Sequence, residues 1–268
     1  MASDLILHHN PKSEEQNSID WSKHLGIGEI VITPQKLQRC YIQSVKTGGK
    51  FKIQFGFGSN DNFKLLFGIS TYQNRKQERS DLNIEIPPSC QQTMQDLDEL
   101  ILETAKDRKG EWWPQEPELS DEQIEDRYIP ATKVDPSGNF MPNTKCKISL
   151  YGNENKGNTQ VFEYCSDGCT RADGSVYSGK NDLLVVEDEI MIRTLLEPKC
   201  RCLFVVQISN IWFMNNAFGP TLDCKMVACF PKKNEMSFFM PELMNADVKV
   251  SKNDDILNDE DKLALKSF

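Results

Sequence analysis

Residues 51–69 read FKIQFGFGSNDNFKLLFGI, and two runs of alternating residues in this stretch decide the fold. Apolar residues alternate with polar residues or glycine over 51–57, and Phe63, Leu65, Phe67 and Ile69 again follow a period of two. A period of two is typical of β-strands that bury one face. The Ser-Asn-Asp-Asn stretch at 59–62 is typical of a turn. With the β-forming residues at 37–45, which precede a Thr-Gly-Gly turn, the pattern predicts a three-stranded meander whose phenylalanines, Phe67 included, face the core.

A single helix is predicted after these strands, over residues 89–109. Its apolar face is formed by residues three or four positions apart: Met94, Leu97, Ile101 and Ala105. Ser89 begins a capping-box pattern, and Gly110 is a typical helix stop. The carboxylates between the apolar positions, such as Asp98, are expected on the solvent side of an amphipathic helix.

Strands resume after an acidic insertion at about 110–140, which carries a short helical turn beginning near Ser120. Strands are predicted at 145–151, 160–165, 183–187, 191–196, 200–213 and 222–230. The sequence therefore predicts a mostly β fold, with one central α-helix between strands and a helix-bearing insertion. Such an order favours closure as a barrel.

Nothing in the sequence predicts a membrane or secreted protein. The chain has 268 residues, and its longest apolar runs are strand-sized, well short of the roughly 18 residues that a spanning helix needs. Residues 1–30 are expected to form a polar leader, because they lack the basic start and long apolar region of a secretion signal.

The nine cysteines are expected to be reduced thiols of an intracellular protein. The pairs Cys165-x3-Cys169 and Cys200-x-Cys202 lack the two-residue spacing of a zinc knuckle, and all three histidines lie in the leader. We therefore expect no metal site and no cofactor.

The chain carries no motif of a known catalytic class. It has no G-x-S-x-G sequence, no phosphate-binding loop and no H-E-x-x-H sequence. We expect a protein that is not an enzyme and has no catalytic residues.

The charge is distributed unevenly along the chain. Residues 31–80 carry nine Lys and Arg against two Asp and Glu, whereas residues 81–130 carry four against fourteen. A basic segment interleaved with aromatic residues is typical of single-strand binding, in which cations follow the phosphates and bases stack on rings. The first set of candidate nucleic-acid-binding residues is Arg39, Tyr41, Lys50, Lys52, Lys64, Tyr72, Arg75, Lys76 and Arg79.

A second candidate surface runs down the predicted strand at 200–213 into the following loop. It comprises Lys199, Arg201, Trp212, Phe213 and Phe218. The pattern leaves two roles open for Trp212, which could stack on bases or cap the barrel core.

Residues 236–268 are expected to form an acidic, flexible C-terminal tail. The residues that could contact a partner are Asp254, Asp255, Asp259, Glu260, Asp261 and the terminal Phe268. Such a tail can mimic nucleic acid toward a basic groove or insert its aromatic end into a partner's pocket. A purely solubilising tail is the alternative.

The order of these features resembles the single-stranded DNA-binding proteins of short-tailed bacteriophages and, more closely, their relatives in nucleocytoplasmic large DNA viruses. The resemblance is carried by the strands at 37–70, the helix at 89–109, the stretch 199–230 with its tryptophan and glycine, and Phe268. It implies an OB-fold barrel as the nucleic-acid-binding domain, over residues 31–235. The stretch between Trp212 and Gly219 reads as a loop longer than that of the phage proteins.

The resemblance also implies a function and partners. The protein would coat single-stranded DNA during viral DNA replication, recombination and repair, inside the host cell at the site of replication. Its tail would contact replication proteins such as a polymerase or a helicase/primase, and the chain would form a homodimer. No membrane partner is expected.

Two other functions remain open from the residues themselves. A β-barrel that serves as a structural or assembly protein of a virus would use the charge asymmetry for protein contacts. An RNA-binding OB-fold protein would use the same cations and rings, because phosphate and stacking contacts serve both polymers.

Overall fold

The computed structural model describes residues 5–9, 19–55, 63–69, 80–150 and 159–230. In these ranges twelve strands form one large mixed sheet and four α-helices accompany it, so the mostly β fold is confirmed. The strands are β1 (Leu5–His9), β2 (Leu25–Ile32), β3 (Gln38–Ser44), β4 (Phe51–Phe55), β5 (Phe63–Leu65), β6 (Ser80–Glu85), β7 (Thr132–Lys133), β8 (Asn143–Ile148), β9 (Gln160–Cys165), β10 (Asp182–Val185), β11 (Arg201–Met214) and β12 (Ala217–Phe230). The helices are α1 (Pro88–Asp107), α2 (Lys109–Trp112), α3 (Asp121–Arg127) and α4 (Glu189–Leu195). Within the described ranges, no helix combines the length and the apolar character needed to cross a membrane.

The two longest strands, β11 and β12, form an antiparallel hairpin at the centre of the sheet. Asn215 and Asn216 connect them with φ values of 51° and 60°. Two-residue hairpin turns need such left-handed backbones, which asparagine tolerates well. The expected long loop from Trp212 to Gly219 is therefore wrong, because these two residues pair directly within the hairpin.

Three short strands follow one edge of β11 in succession. β3 pairs with residues 210–213, β4 with 204–207 and β5 with 201–202, all antiparallel to β11. The sequence predicted these strands, but their pairing as a meander is wrong. The fourteen-residue edge of β11 satisfies the backbone hydrogen bonds of all three strands, which a local pattern does not reveal.

The strand β5 is shorter than its alternating sequence suggests. It ends at Leu65, and the chain bends at residues 66–67. Phe51 and Phe63 face the core as predicted, whereas Phe67 is 63% exposed and is not a core residue.

Five strands around the core are joined by successive pairings that form a closed circuit. These pairings link β11 to β5, β5 to β6, β6 to β8, β8 to β12, and β12 back to β11. The link between β8 and β12 consists of one residue pair, Lys147 with Asp223. Apolar side chains from five of these strands and from Met94 and Leu97 of α1 surround a shared interior.

The helix α1 buries the predicted face against this interior. Its start and end differ from the prediction. Pro87 is the N-cap residue and no side chain caps the helix, so Ser89 lies inside the first turn. The helix ends at Asp107, and the short α2 passes through Gly110, which does not stop it.

Much of the expected polar leader, residues 1–30, belongs to the fold, because β1 pairs with β4 and residues 19–32 join the sheet and the core. Trp21 is buried, its indole N–H donates to the carbonyl of Thr93 at 2.8 Å, and its ring packs edge-on against Phe51. The strand β2 follows and pairs with β3. One large buried side chain therefore ties this polar segment to the helix and the sheet.

Two short helices are defined by their caps. The helical turn predicted near Ser120 is confirmed as α3, where Ser120 and Gln123 form a reciprocal capping box. The strand predicted at 191–196 is instead the helix α4, because the side chain of Asp188 accepts a hydrogen bond from the backbone N–H of Met191 at 2.9 Å.

Candidate nucleic-acid interface

Trp212 lies on the outward face of β11, between two residues that point into the core. Ile211 and Phe213 are buried, whereas Trp212 is half-buried. The register shift between Ile208 and Asn210 precedes it and changes which residues of the strand face outward. Within the described part of the chain, no aromatic ring contacts Trp212 and no acceptor takes its indole N–H. An indole in this setting can offer both a ring face and a donor to a ligand.

Three lysines share a groove with this tryptophan, which we call the Trp212 groove. Its lining is Ile129, Pro130, Ala131, Lys133, Lys145, Lys147, Trp212, Pro220, Thr221 and Leu222. Lys133 comes from β7, and Lys145 and Lys147 come from β8. In β8 the two exposed lysines alternate with buried Thr144 and Cys146, so the strand period sends both ammonium groups outward.

Two of the three lysines have no carboxylate partner among the described residues. Lys145 forms an ion pair with Asp81 at 2.5 Å. Across the described ranges, neither Lys133 nor Lys147 takes part in an ion pair, and both are exposed. Their charges are therefore available to an anionic ligand.

One wall of the groove lies within residues 128–132, and a carboxylate of α1 accepts hydrogen bonds from this segment. Asp98 accepts hydrogen bonds from the Tyr128 hydroxyl at 2.7 Å and from the backbone N–H groups of Ala131 and Thr132 at 2.6 and 2.9 Å. Burial raises the pKa of Asp98 despite these bonds, which lower it. The same burial raises the pKa of Tyr128, which stays protonated as the donor. Asp98 is therefore an anchor for residues 128–132 and does not lie on a solvated helix face, as the sequence had suggested.

Gly219 allows this wall to approach the hairpin. The backbone N–H of Ile129 donates to the carbonyl of Phe218 at 2.8 Å. A Cβ atom at position 219 would lie 2.3 Å from the carbonyl oxygen of Ile129 and 3.4 Å from the ring of Trp212. A glycine is required here because of the close backbone contact.

Two predicted residues continue the surface on the other side of Trp212. In the register of β3 and β11, Arg39 lies opposite Trp212 and Tyr41 lies opposite Asn210. Tyr41 is 49% exposed, and the Nε atom of Arg39 is buried without a hydrogen-bond partner. Neighbouring strands are about 4.8 Å apart, so the lysines, Trp212 and these two side chains form one continuous outer face.

The other predicted cations that the structure describes differ in exposure and in pairing. Lys52 is only 5% exposed, Lys64 forms an ion pair with Glu85 at 3.7 Å, and Lys50 is exposed. Lys64 pairs in register with Arg201, close to the exposed Lys199. Eleven residues of strand separate Arg201 from Trp212, which corresponds to more than about 30 Å. The structure therefore divides the second candidate surface between the two ends of β11.

Phe213 and Phe218 are core residues, which corrects their assignment to base stacking. Phe218 is fully buried and Phe213 is 9% exposed. Both pack against Trp112 and Trp113, with ring centroids 5.2–6.0 Å apart. Their rings pack between these two tryptophans and the hairpin, so they serve the core and leave little ring surface for a base.

The remaining candidates lie outside the described residues. They are Tyr72, Arg75, Lys76, Arg79, Asp254, Asp255, Asp259, Glu260, Asp261 and Phe268.

The three groove lysines were missed by the sequence reasoning. The alternation Lys145-Cys146-Lys147 was a usable signal, because a strand was already predicted there and alternate positions share a face. Lys133 gave no such signal, since its place depends on the pairing of β7 with β8.

No protein-family model matches the chain, and no curated protein matches it either. Among solved structures, it is similar to the single-stranded DNA-binding protein from bacteriophage Enc34 in complex with ssDNA, at 8% identity and a TM-score of 0.36, over 77% of this chain and 96% of that chain. The structure of the Enc34 protein described without DNA gives 10% identity and a TM-score of 0.34, over 76% of this chain and 89% of that chain. These values are low, so the functional assignment depends on the residues of the interface.

Proposed function

We propose that this protein binds single-stranded DNA across the outer face formed by the Trp212 groove, Arg39 and Tyr41. The observation that carries the proposal is the half-buried Trp212 ring, which has no aromatic or hydrogen-bonding partner among the described residues and lies beside two lysines that form no ion pair with them. Single-strand binders combine these elements, because every base has a face that can stack and every nucleotide has a phosphate.

The proposed mode of binding follows from the order of side chains across the sheet. Phosphates bind to Lys133, Lys145 and Lys147, and a base stacks on Trp212. The next nucleotide continues toward Arg39 and Tyr41, where a guanidinium and a second ring are available. A duplex keeps its base faces stacked internally and cannot use Trp212 in this way.

We also propose that the closed path of strand pairings is an OB-fold barrel. Support comes from the five-strand circuit through β11, β5, β6, β8 and β12, and from α1, which packs over its interior. OB-folds commonly bind oligonucleotides on such an outer strand face.

The proposed role is that of a non-catalytic protein that coats single-stranded DNA during viral DNA replication, recombination and repair inside the host cell. The acidic residues and terminal phenylalanine of the tail support a further proposal, contact with a polymerase or a helicase/primase. A homodimer remains a proposal of the same kind.

The test is fluorescence anisotropy of the full chain with a labelled oligo-dT of about thirty nucleotides. The oligonucleotide is titrated at low and moderate salt, with oligo-U or duplex DNA of equal length as competitor. We expect tight binding that weakens as salt rises and that duplex DNA does not displace. Stronger competition by oligo-U would assign the interface to RNA. Absence of binding at low salt by the folded protein would reject the proposal and favour an assembly protein.

The tail has a test of its own. A chain that ends at residue 252 is expected to bind oligo-dT at least as tightly as the full chain, because an acidic tail competes with DNA for the lysines. A loss of affinity in the shortened chain would make the tail part of the DNA site.

A further inference from the structure

Three cysteines meet where β11 begins and β12 ends. Cys202 lies opposite Cys229 in the hairpin register, and Cys200 lies just before β11. The Sγ atom of Cys202 is 3.5 Å from that of Cys200 and 3.9 Å from that of Cys229, and all three sulfur atoms lie within 4.8 Å of one another. We call this group the thiol cluster.

These separations match those of sulfur atoms around one metal ion. With metal–sulfur bonds of about 2.3 Å, two thiolates of a tetrahedral site lie about 3.8 Å apart, and two of a trigonal site about 4.0 Å apart. A disulfide requires about 2.05 Å. The cluster is therefore arranged as a ligand set without being covalently joined.

Backbone hydrogen bonds fix the positions of all three cysteines. Cys202 lies in β11, Cys229 lies in β12, and the segment that carries Cys200 is bonded to β5. Cys202 and Cys229 lie in the ladder between β11 and β12. The carbonyl of Cys200 accepts from the backbone N–H of Leu65 at 3.0 Å, and the carbonyl of Leu65 accepts from the N–H of Lys199 at 2.7 Å. The chain before β11 is thus fixed to β5, and little rearrangement is needed to bring the three ligands together.

The cluster is enclosed by protein. Cys200, Cys202 and Cys229 are 4%, 0% and 1% exposed. The five other buried cysteines, Cys40, Cys90, Cys146, Cys165 and Cys224, take no part in a comparable group anywhere in the described ranges.

We infer that Cys200, Cys202 and Cys229 form a binding site for a thiophilic d10 metal ion, Zn²⁺ or Cu⁺. Soft thiolate ligands select these ions, and burial favours a closed, structural type of site. Each coordinating thiol releases its proton when the metal binds. The ion would link the open end of the central hairpin to the segment that is bonded to β5. This role would stabilise the fold and would be independent of the DNA interface.

The sequence expectation of no metal site rested on the spacing of Cys165 and Cys169, the spacing of Cys200 and Cys202, and the histidines in the leader. Cys229 joins Cys200 and Cys202 only through the register of β11 and β12. The third ligand therefore depends on a pairing that cysteine spacing does not encode.

The test uses the full chain, purified under reducing conditions without chelator. Its metal content is measured by elemental analysis and native mass spectrometry, before and after addition of Zn²⁺ or Cu⁺ alone. We expect about one equivalent of metal per chain, and a higher melting temperature with metal than after chelation. The ion retained on purification distinguishes zinc from copper.

Variants assign the metal to the cluster. Cys200→Ala and Cys229→Ala are expected to lose the bound equivalent, whereas Cys146→Ala, which removes a buried thiol elsewhere, is expected to keep it. If a variant fails to fold, the unmodified protein is alkylated with and without metal at a urea concentration that opens the fold, because bound metal should still protect these three thiols there while Cys146 reacts. A protein that binds neither ion, metal retained by all the variants, or a disulfide within the cluster would overturn the inference.

Discussion

At the scale of single residues, Trp212 carries the largest predicted effect. Trp212→Ala should weaken binding to oligo-dT by about 1–3 kcal/mol, which is about 5- to 150-fold, because one stacking platform is lost. Trp212→Phe keeps an aromatic ring and should lose much less. Anisotropy titration of both variants measures the difference, and urea unfolding monitors stability.

The two variants also separate binding from packing. Unchanged affinity of a folded Trp212→Ala protein would contradict the role in stacking. A collapse of the unfolding free energy in both variants would instead make Trp212 a cap of the core.

Replacing the groove lysines should change how strongly the affinity for oligo-dT depends on salt concentration. Lys147→Gln should reduce the steepness of the log–log plot of affinity against salt by up to about 0.7, the contribution of one neutralised phosphate in a single strand. Lys133→Gln should do the same. Lys180→Gln is the matched control, because Lys180 is exposed but does not line the groove. Equal slopes in all three variants would exclude these lysines from phosphate binding.

At the scale of elements, Asp98 links α1 to the groove wall and should give the stability a pH dependence. Burial raises the pKa of Asp98 in the folded protein above its ordinary value of about 4. The stability that this group contributes is therefore complete below pH 4 and is lost as pH rises through the raised pKa. The unfolding free energy of the wild type relative to Asp98→Asn should fall across that window in urea titrations. A difference that grows with pH would mean that the three hydrogen bonds outweigh burial.

The contact between the hairpin and residues 128–131 depends on Gly219. Gly219→Ala should destabilise the fold by about 1–3 kcal/mol, because the new Cβ would overlap the carbonyl of Ile129 and the backbone must move. Affinity for oligo-dT should fall as well, since the same shift displaces the groove wall. Gly110→Ala is the control: a Cβ there meets nothing within 4 Å, and alanine favours the helix α2. Similar losses in both variants would contradict the proposed close contact.

At the scale of the whole molecule, local patterns predicted the elements better than their partners. The apolar face of α1 and the strands around Phe51 and Phe63 follow directly from residue spacing, and Trp212 and Tyr41 were named from the sequence. The pairing of β3, β4 and β5 with β11 was not predictable, because it depends on contacts between residues more than a hundred positions apart.

The site residues that were misassigned or missed also depend on contacts between distant parts of the chain. Phe218 looked available for stacking until the fold placed Trp112 and Trp113 against it. Lys133 and Cys229 acquire their neighbours only through strand register. The sequence therefore showed which residues could bind a base, a phosphate or a metal. Which of them lie together in one site depends on how the strands of the sheet pair.

The central claim is that a single strand crosses the sheet at Trp212, and photo-crosslinking tests it most directly. The full chain is irradiated in complex with an oligo-dT in which 5-iodouracil replaces some of the thymines, and the modified peptides are identified by mass spectrometry. Because iodouracil reacts with an aromatic ring that stacks on it, we expect an adduct at Trp212 and a second at Tyr41. Adducts confined to aromatic residues elsewhere, such as the exposed Phe67, would contradict it.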